Sequence, residues 1–506
     1  MDPKNKIIVN TIILYAKIII NMIISLWTVP LVLRALGQND YGLYNLVAGV
    51  VSMLAFLNAS MTVVVQRYMS VTMGANDPQK LNDVYNAGVR IHLVLGFCVV
   101  ALLELCSPFL FNGFLNIDAA RVSAAIIVFH FMVVNIFFSI IAVPFDSALN
   151  AYENMLVFSV IAVAESVLKL LLAFYLFSVS MDRLIVYCVG LVTIAIIGVI
   201  IRVIYVNYAY KDIKVCIKYK VPKALYKEML AYAGWNTCGS VAMIGKNQGM
   251  AIVLNLFKGT VINASYGIAN QINGLLSSFT GSIQKAVSPQ LMKKEGANQR
   301  ESVIEMSFAL VKVATIIFTI MAIPCVLEMN QILALWLHGN IPPFTMEFCQ
   351  LIILMQLLFQ MSSGVALAID AVGKIKIYRI VLSVVLLLNI PLAYLLLKIG
   401  LAPYYVAASM IFVELMCLGV RLFFARKTAS YPVVLYIKEC FIPLIVTIIL
   451  SLISGIAIIA CIYPSVWRIL LVVTITLLAT LISSYYLVLS NKEKKIVISF
   501  IKRNNK

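Results

Sequence analysis

Charge is what this sequence has least of. Asp, Glu, Lys and Arg make up only 12% of its 506 residues, against about a quarter in a soluble domain. Acidic residues are the scarcer half, 21 against 39 Lys and Arg. Long polar segments are also missing. The longest, near 207–228 and 285–302, leave no room for a soluble catalytic domain. The short alternating segments of a β-barrel do not occur. None of the ten Cys forms a C-x-x-C pair. Scattered through apolar runs, they read as buried, reduced thiols. The basic residues are not interleaved with aromatics on a soluble face, so the net charge of +18 does not indicate a nucleic-acid partner.

What is abundant is apolar: 62% of the chain, with a mean hydropathy of +1.00. Runs of roughly twenty apolar residues recur, each long enough to cross about 30 Å of hydrocarbon as a helix. About fourteen can be counted, starting near Ile7, Leu43, Ala87, Val122, Met155, Leu184, Met229, Val261, Val303, Met346, Ile375, Tyr404, Lys438 and Val466. The first is too long for a signal-peptide core and no small-residue cleavage site follows it, so it reads as a membrane helix. The fold expected is an all-α polytopic membrane protein.

Alternating these helices from a cytoplasmic N-terminus puts Lys and Arg on the inside at nearly every loop, as the positive-inside rule requires. Lys6, Arg67, Lys80, the cluster from Lys211 to Lys227, Lys293, Lys294 and Arg426 all fall inside. Little more than Arg34, Arg121, Arg183, Lys258, Lys398 and Arg468 falls outside. One inside loop, 144–154, carries no Lys or Arg. Both termini are expected in the cytoplasm.

The chain also matches itself. "DYGLYN" at Asp40 pairs with "SYGIAN" at Ser265, "GAN" at Gly74 with "GAN" at Gly296, and "ALNA" at Ala148 with "AIDA" at Ala368. The three separations differ from one another only by the length of a small loop deletion. Three matches in order, each at the same place relative to an apolar run, describe a repeat of about six helices in parallel orientation. The expected division is 1–210, a cytoplasmic linker 211–228, a second half 229–430, two appended helices within 431–490, and a basic tail 491–506. Within the repeated hexapeptide, Gly42 allows a turn or close packing.

Polar groups at bilayer depth are costly and face a cavity or a partner. The first helix carries Asn10, Lys17, Asn21, Ser25 and Thr28 at spacings that share one face. The first helix of the second half carries Asn236, Ser240, Lys246 and Asn247. Arg90 and Lys312 correspond in the repeat, either as positive-inside anchors or as a cationic mouth. Lys17, Asn21, Arg90, Lys246, Asn247 and Lys312 therefore form a candidate cationic, anion-binding cavity. Glu165 and Lys169 stand at i, i+4, either a self-neutralising pair or an ion-coupling site. Glu414 and Arg421 offer the same choice. His130 is a lone histidine. Gln356, Gln360 and Ser363 stand ready to bond sugar hydroxyls or neighbouring helices.

At this point a family resemblance emerges. "LVLRALGQNDYGLYNLVAGV", "QRYMSVTMGAND" and "NASYGIANQINGLLSSFTGSIQKAVSPQLMKKEGAN" resemble polysaccharide-biosynthesis membrane proteins, the lipid-linked oligosaccharide and O-antigen flippases of the MOP exporter superfamily. The resemblance implies two six-helix lobes around a V-shaped central cavity, with two further C-terminal helices. It implies a bacterial inner-membrane protein that moves undecaprenyl-pyrophosphate-linked oligosaccharide by alternating access. It implies basic cavity residues for the pyrophosphate, a place that Lys17 and Lys246 match as first-helix charges. The partners implied are that lipid-linked substrate, membrane lipids, a coupling ion (H+ or Na+) and polysaccharide polymerase machinery. The alternative is an ion-coupled multidrug or metabolite exporter, which would want a cavity acid. No catalytic residue, metal or cofactor is expected. The outer segment "EMNQILALWLHGNIPPFT" is too small for enzymatic chemistry.

Overall fold

In the computed structural model, residues 3–52, 55–111, 121–216, 219–337, 341–491 and 493–494 are described. His338 and nearly all of the expected basic tail lie outside them. The described chain is built of helices joined by short turns, and no strand occurs among these residues.

The N-terminal part holds α1 (Pro3–Ser52), α2 (Ala55–Gly74), α3 (Pro78–Phe109), α4 (Val122–Ala151), α5 (Met155–Tyr175) and α6 (Arg183–Ala209). Then come α7 (Lys223–Gly296), α8 (Arg300–Leu327), the short α9 (Met329–Trp336), α10 (Thr345–Val372), α11 (Lys376–Leu387), α12 (Asn389–Lys398) and α13 (Tyr405–Ala429). The chain closes with α14 (Val433–Tyr436), α15 (Ile442–Cys461) and α16 (Val466–Ser483).

At the usual rise per residue of an α-helix, α1 and α7 are far too long for one crossing. Each is interrupted by a glycine that no other residue type would replace easily. Gly37 has φ 79°, ψ 168° and Gly259 has φ 77°, ψ −175°, a region reserved for glycine. The turn therefore lies ahead of the repeated hexapeptide. Gly42 and Gly267 themselves are helical, and an added Cβ on either would meet nothing within 4 Å. Neither the turn nor the close packing expected of Gly42 is there.

Local start and stop signals are legible. Asp77 accepts from the Lys80 amide at 3.0 Å to cap α3, ahead of Pro78. Asn154, Asp182 and Ser465 cap α5, α6 and α16 in the same way. The two "GAN" triplets end α2 and α7 alike, with Asn76 at φ 54° and Asn298 at φ 58°, the left-handed geometry that closes a helix.

Among the described residues, eleven helices are long and apolar enough to cross a membrane. The expected crossings near Leu43, Met229 and Val261 do not meet that measure. The first is only partly described, and both arms of α7 carry many Lys, Asn, Gln and Ser. Large apolar side chains stand exposed along the helices, Leu105 at 79% and Leu256 at 76%. In water these would be liabilities; in lipid they face their natural solvent.

Two compact units emerge, Met1–Thr237 with Met292–Asn298, and Cys238–Leu291 with Gln299–Lys506. In the first, Val128, Phe129, Val133 and Ile136 of α4 pack with Val99 and Leu103 of α3 and with Leu184 and Cys188 of α6. At one end of this unit Arg121 binds both Asp40 and Asp182, the latter at 2.7 Å. Partial burial pushes the Asp182 carboxyl up, but Arg121 and the amides of Ile185 and Leu184 outweigh it and hold it below the usual range. In the second unit α15 and α16 pack against α8. There Ser265, the counterpart of Asp40 in the repeat, donates to the Pro343 carbonyl at 2.8 Å.

Candidate functional site

In the first unit the charged residues gather around Lys17. Its ammonium lies 4.2 Å from the centre of the Phe158 ring on α5, a cation–π contact. Among the described residues no carboxylate comes within ion-pair distance of it. Four residues on, the Asn21 side-chain oxygen is buried without a hydrogen-bond partner among the described residues. The charged neighbours of Lys17 are Asp146, Arg202 and Glu165. Arg202 on α6 donates to Asp146 Oδ1 at 2.8 Å and to Glu165 Oε1 at 2.6 Å. One guanidinium thus joins α4, α5 and α6. Gly198, one turn before Arg202, makes room: a Cβ there would lie 2.2 Å from Glu165 Oε1.

This corrects the helical-pair reading of Glu165. Its partner is Arg202, and Lys169 is exposed instead of paired. A long-range guanidinium that satisfies two carboxylates outcompetes a one-turn neighbour on the same helix. Sequence reasoning missed both Arg202 and Asp146. A signal for Arg202 exists: it and Arg421 stand at almost the same separation as "ALNA" and "AIDA", in line with the drift of the repeat.

In the second unit, Arg421 is 2% exposed and donates to Glu414 Oε1 at 2.5 Å and to Ser362 Oγ at 2.8 Å. Lys246 is 4% exposed, and its ammonium meets the Met355 sulfur at 3.8 Å, with no carboxylate at ion-pair distance among the described residues. Glu414 and Arg421 are its charged neighbours. The next residue, Asn247, is exposed. Gln360 donates to Thr280 at 2.8 Å and accepts from Gln284 at 3.2 Å, joining α10 to α7.

Arg90 and Lys312 each serve a neighbouring segment. Arg90 donates to the Tyr226 hydroxyl at 3.1 Å and to the carbonyls of Cys216 and Tyr219, holding the linker. Lys312, buried, pairs with Glu493 at 3.0 Å. Both anchor chain, which gives the cationic-mouth reading no free charge to work with. The cavity beside the linker, about 340 Å³, is walled by Asp77, Asp83 and Glu228 as well as Lys80 and does not suit an anion. His130 is not alone: its Nδ1 lies 3.0 Å from Glu104.

The kink glycines also fix the register of the two lysines. Gly37 and Gly259 stand at the same separation as the two "GAN" triplets. Lys17 lies farther ahead of its kink than Lys246 does of its own, a difference of about 10 Å along a helix. At that separation the true counterpart of Lys17 is Gly239. There the chain of Arg379 from α11 fills the space, its Cδ 3.2 Å from where a Cβ would stand. Arg379 pairs with Asp370 at 2.8 Å.

Comparison with known proteins bears on the family and the fold. The family described as polysaccharide biosynthesis protein matches residues 7–294. EpsK, an uncharacterized membrane protein of Bacillus subtilis (strain 168), is 22% identical over 285 residues, or 54% of this chain and 53% of its own. The chain thus matches about half the length of that curated relative. Among solved structures, a MOP superfamily transporter from Pyrococcus furiosus Vc1 (DSM3638) is 14% identical with a TM-score of 0.74, over 85% of this chain and 96% of its own. A multidrug resistance MATE family transporter of the MOP superfamily, in an outward-facing conformation, is 14% identical with a TM-score of 0.73 over the same shares. At such identities the likeness establishes a common fold. With its family matched over more than half its length, the chain belongs to the polysaccharide biosynthesis proteins.

Proposed function

We propose that the protein moves an undecaprenyl-pyrophosphate-linked oligosaccharide across the bacterial inner membrane by alternating access, supplying surface polysaccharide synthesis. The observation that carries this reading is the state of Lys17 and Lys246. Each is a cation within a helix, met by a soft partner, Phe158 or Met355, and by no carboxylate at ion-pair distance among the described residues. Charge held in this way is available to an incoming phosphate, and such contacts strengthen where water is scarce. The lipid tail would stay in the bilayer while the head group crosses, so no covalent step is needed. A multidrug reading draws on the fold alone. It would want an unpaired acid, whereas Glu165 and Glu414 are both held by arginines. Both termini are taken to face the cytoplasm, in keeping with the distribution of Lys and Arg.

Lys17→Ala and Lys246→Ala should each lower surface-glycan assembly by roughly tenfold or more, with protein abundance in the membrane unchanged. A charge-assisted hydrogen bond contributes about 1.5–3 kcal/mol, and about 1.4 kcal/mol is tenfold. Proteoliposomes that flip lipid-linked oligosaccharide and do not export organic cations would support the assignment. Organic-cation efflux without flipping would overturn it.

A further inference from the structure

The one expected inside loop without Lys or Arg, 144–154, holds the explanation of its own exception. Glu153 is buried, 6% exposed, in a left-handed backbone conformation with φ 60°. Its Oε1 accepts from Lys293 at 2.5 Å, and its Oε2 lies 3.5 Å from Lys6. Lys6 also reaches the Tyr152 carbonyl at 3.4 Å, and the Asn10 amide donates to the Glu153 carbonyl at 3.1 Å. A basic residue in this loop would oppose the two lysines it receives.

The same place is closed a second way. A Cβ on Gly74 would lie 1.8 Å from the Lys293 carbonyl oxygen, and one on Gly296 would lie 1.8 Å from that of Val71. Val71 and Lys293 stand at the same separation as Gly74 and Gly296, so they too are counterparts in the repeat. The contact is therefore reciprocal. It is why both copies of "GAN" need glycine. The chain leaves the first unit at Thr237 and returns to it at Met292. The segment 292–298 is that return, held by backbone contact at the glycines and by Glu153.

We propose that Lys6 and Lys293 form an entry site for a diphosphate group, with Glu153 as its internal stand-in, and that an arriving diphosphate displaces Glu153 and frees segment 292–298. Two ammonium groups converge on one carboxylate, so they lie within the span of a single diphosphate, whose charge exceeds that of the carboxylate. Lysine binds phosphate as a point charge and needs no forked geometry. The contact that holds the return segment is then the contact the cargo competes for. The site rests on the anionic-lipid reading above.

The test uses the full chain in nanodiscs, with cysteines at Ala75 and Ala297 in a background without the ten native cysteines. Both positions are exposed, one residue beyond the contacting glycines. Cross-linking yield should be high, and should fall severalfold with sodium pyrophosphate relative to sodium chloride of equal ionic strength. Undecaprenyl pyrophosphate in the disc should act likewise, and undecaprenol should not. The isosteric Glu153→Gln should start low, with thermal unfolding confirming that it is folded. Lys6→Met with Lys293→Met should lose the response. A fall no larger than that with matched salt overturns the entry site. So does a response to free pyrophosphate without one to the lipid form. Flipping assays on the same discs report separately on the transport reading: a responsive contact in a protein that flips no oligosaccharide sinks that reading alone.

Discussion

Arg468→Met should destabilise the second unit by about 3–5 kcal/mol, the usual cost of removing one partner from a buried ion pair. Arg468 Nε and Nη2 donate to the two oxygens of Glu328 at 2.8 and 2.9 Å. Glu328 is 1% exposed, at the junction of α8 and α9. The guanidinium also reaches the Ile462 carbonyl at 3.2 Å, and the Arg468 amide is capped by Ser465 at 3.1 Å. One side chain thus ties the start of α16 to the end of α8. Methionine would fill much of the volume but leave a buried carboxylate unmatched. Thermal unfolding in detergent checks the single variant. Adding Glu328→Leu should regain most of the loss, because an apolar pair of similar volume replaces a buried ion pair at little cost. A double variant as unstable as the single one would show that the pair is not what holds α16.

Arg202→Met should reduce transport by tenfold or more while leaving Lys17 in place. Around Lys17, two acids and two bases balance: Asp146 and Glu165 against Lys17 and Arg202. Without Arg202, two carboxylates compete with the cargo for the Lys17 ammonium. A shift of about 1.4 kcal/mol is enough for tenfold. Arg202→Met with Asp146→Asn and Glu165→Gln should recover a large part of the loss, since the competition is removed with the cation. Gly198→Ala approaches the same cluster from another side. Its Cβ would stand 2.2 Å from Glu165 Oε1, so the carboxylate must move off Arg202, and a weaker loss in the same direction is expected. Flipping in proteoliposomes, normalised to inserted protein, decides: full transport by Arg202→Met would show that the arginine does not shield Lys17.

The apolar runs were legible because lipid imposes one requirement, length of hydrophobic helix, along the whole chain. The polar stripe on α1 was legible for a similar reason, since helical periodicity alone puts Lys17 and Asn21 on one face. Partnerships across helices were not. Nothing within a turn of Arg202 announces Asp146, 56 residues earlier, and the one-turn rule pointed to Lys169 instead. The repeat was visible in short words, yet its register near Lys17 needed the kink glycines, whose backbone angles are not written in composition. Glu153 showed only as an absence, a loop without cations, whose meaning depends on Lys6 and Lys293 arriving from distant positions in the chain.

Asp40 and Ser265 open the two copies of the hexapeptide, and each fastens it to the turn before a following helix. Asp40 does so through Arg121, ahead of α4, and Ser265 through the Pro343 carbonyl, ahead of α10. One joint is ionic and the other neutral. The lowered carboxyl of Asp182, which shares Arg121, makes its full contribution above the ordinary carboxylate range and loses it as pH falls through the lowered value. Salt screens the same contact, while a hydroxyl-to-carbonyl bond ignores both. Protection against hydrogen exchange, taken relative to the intrinsic rate at each pH, should therefore fall at low pH around the start of α4 and stay unchanged at the start of α10. The start of α4 thus answers acidity and salt through its ionic joint, and the start of α10, held by a neutral bond, does not.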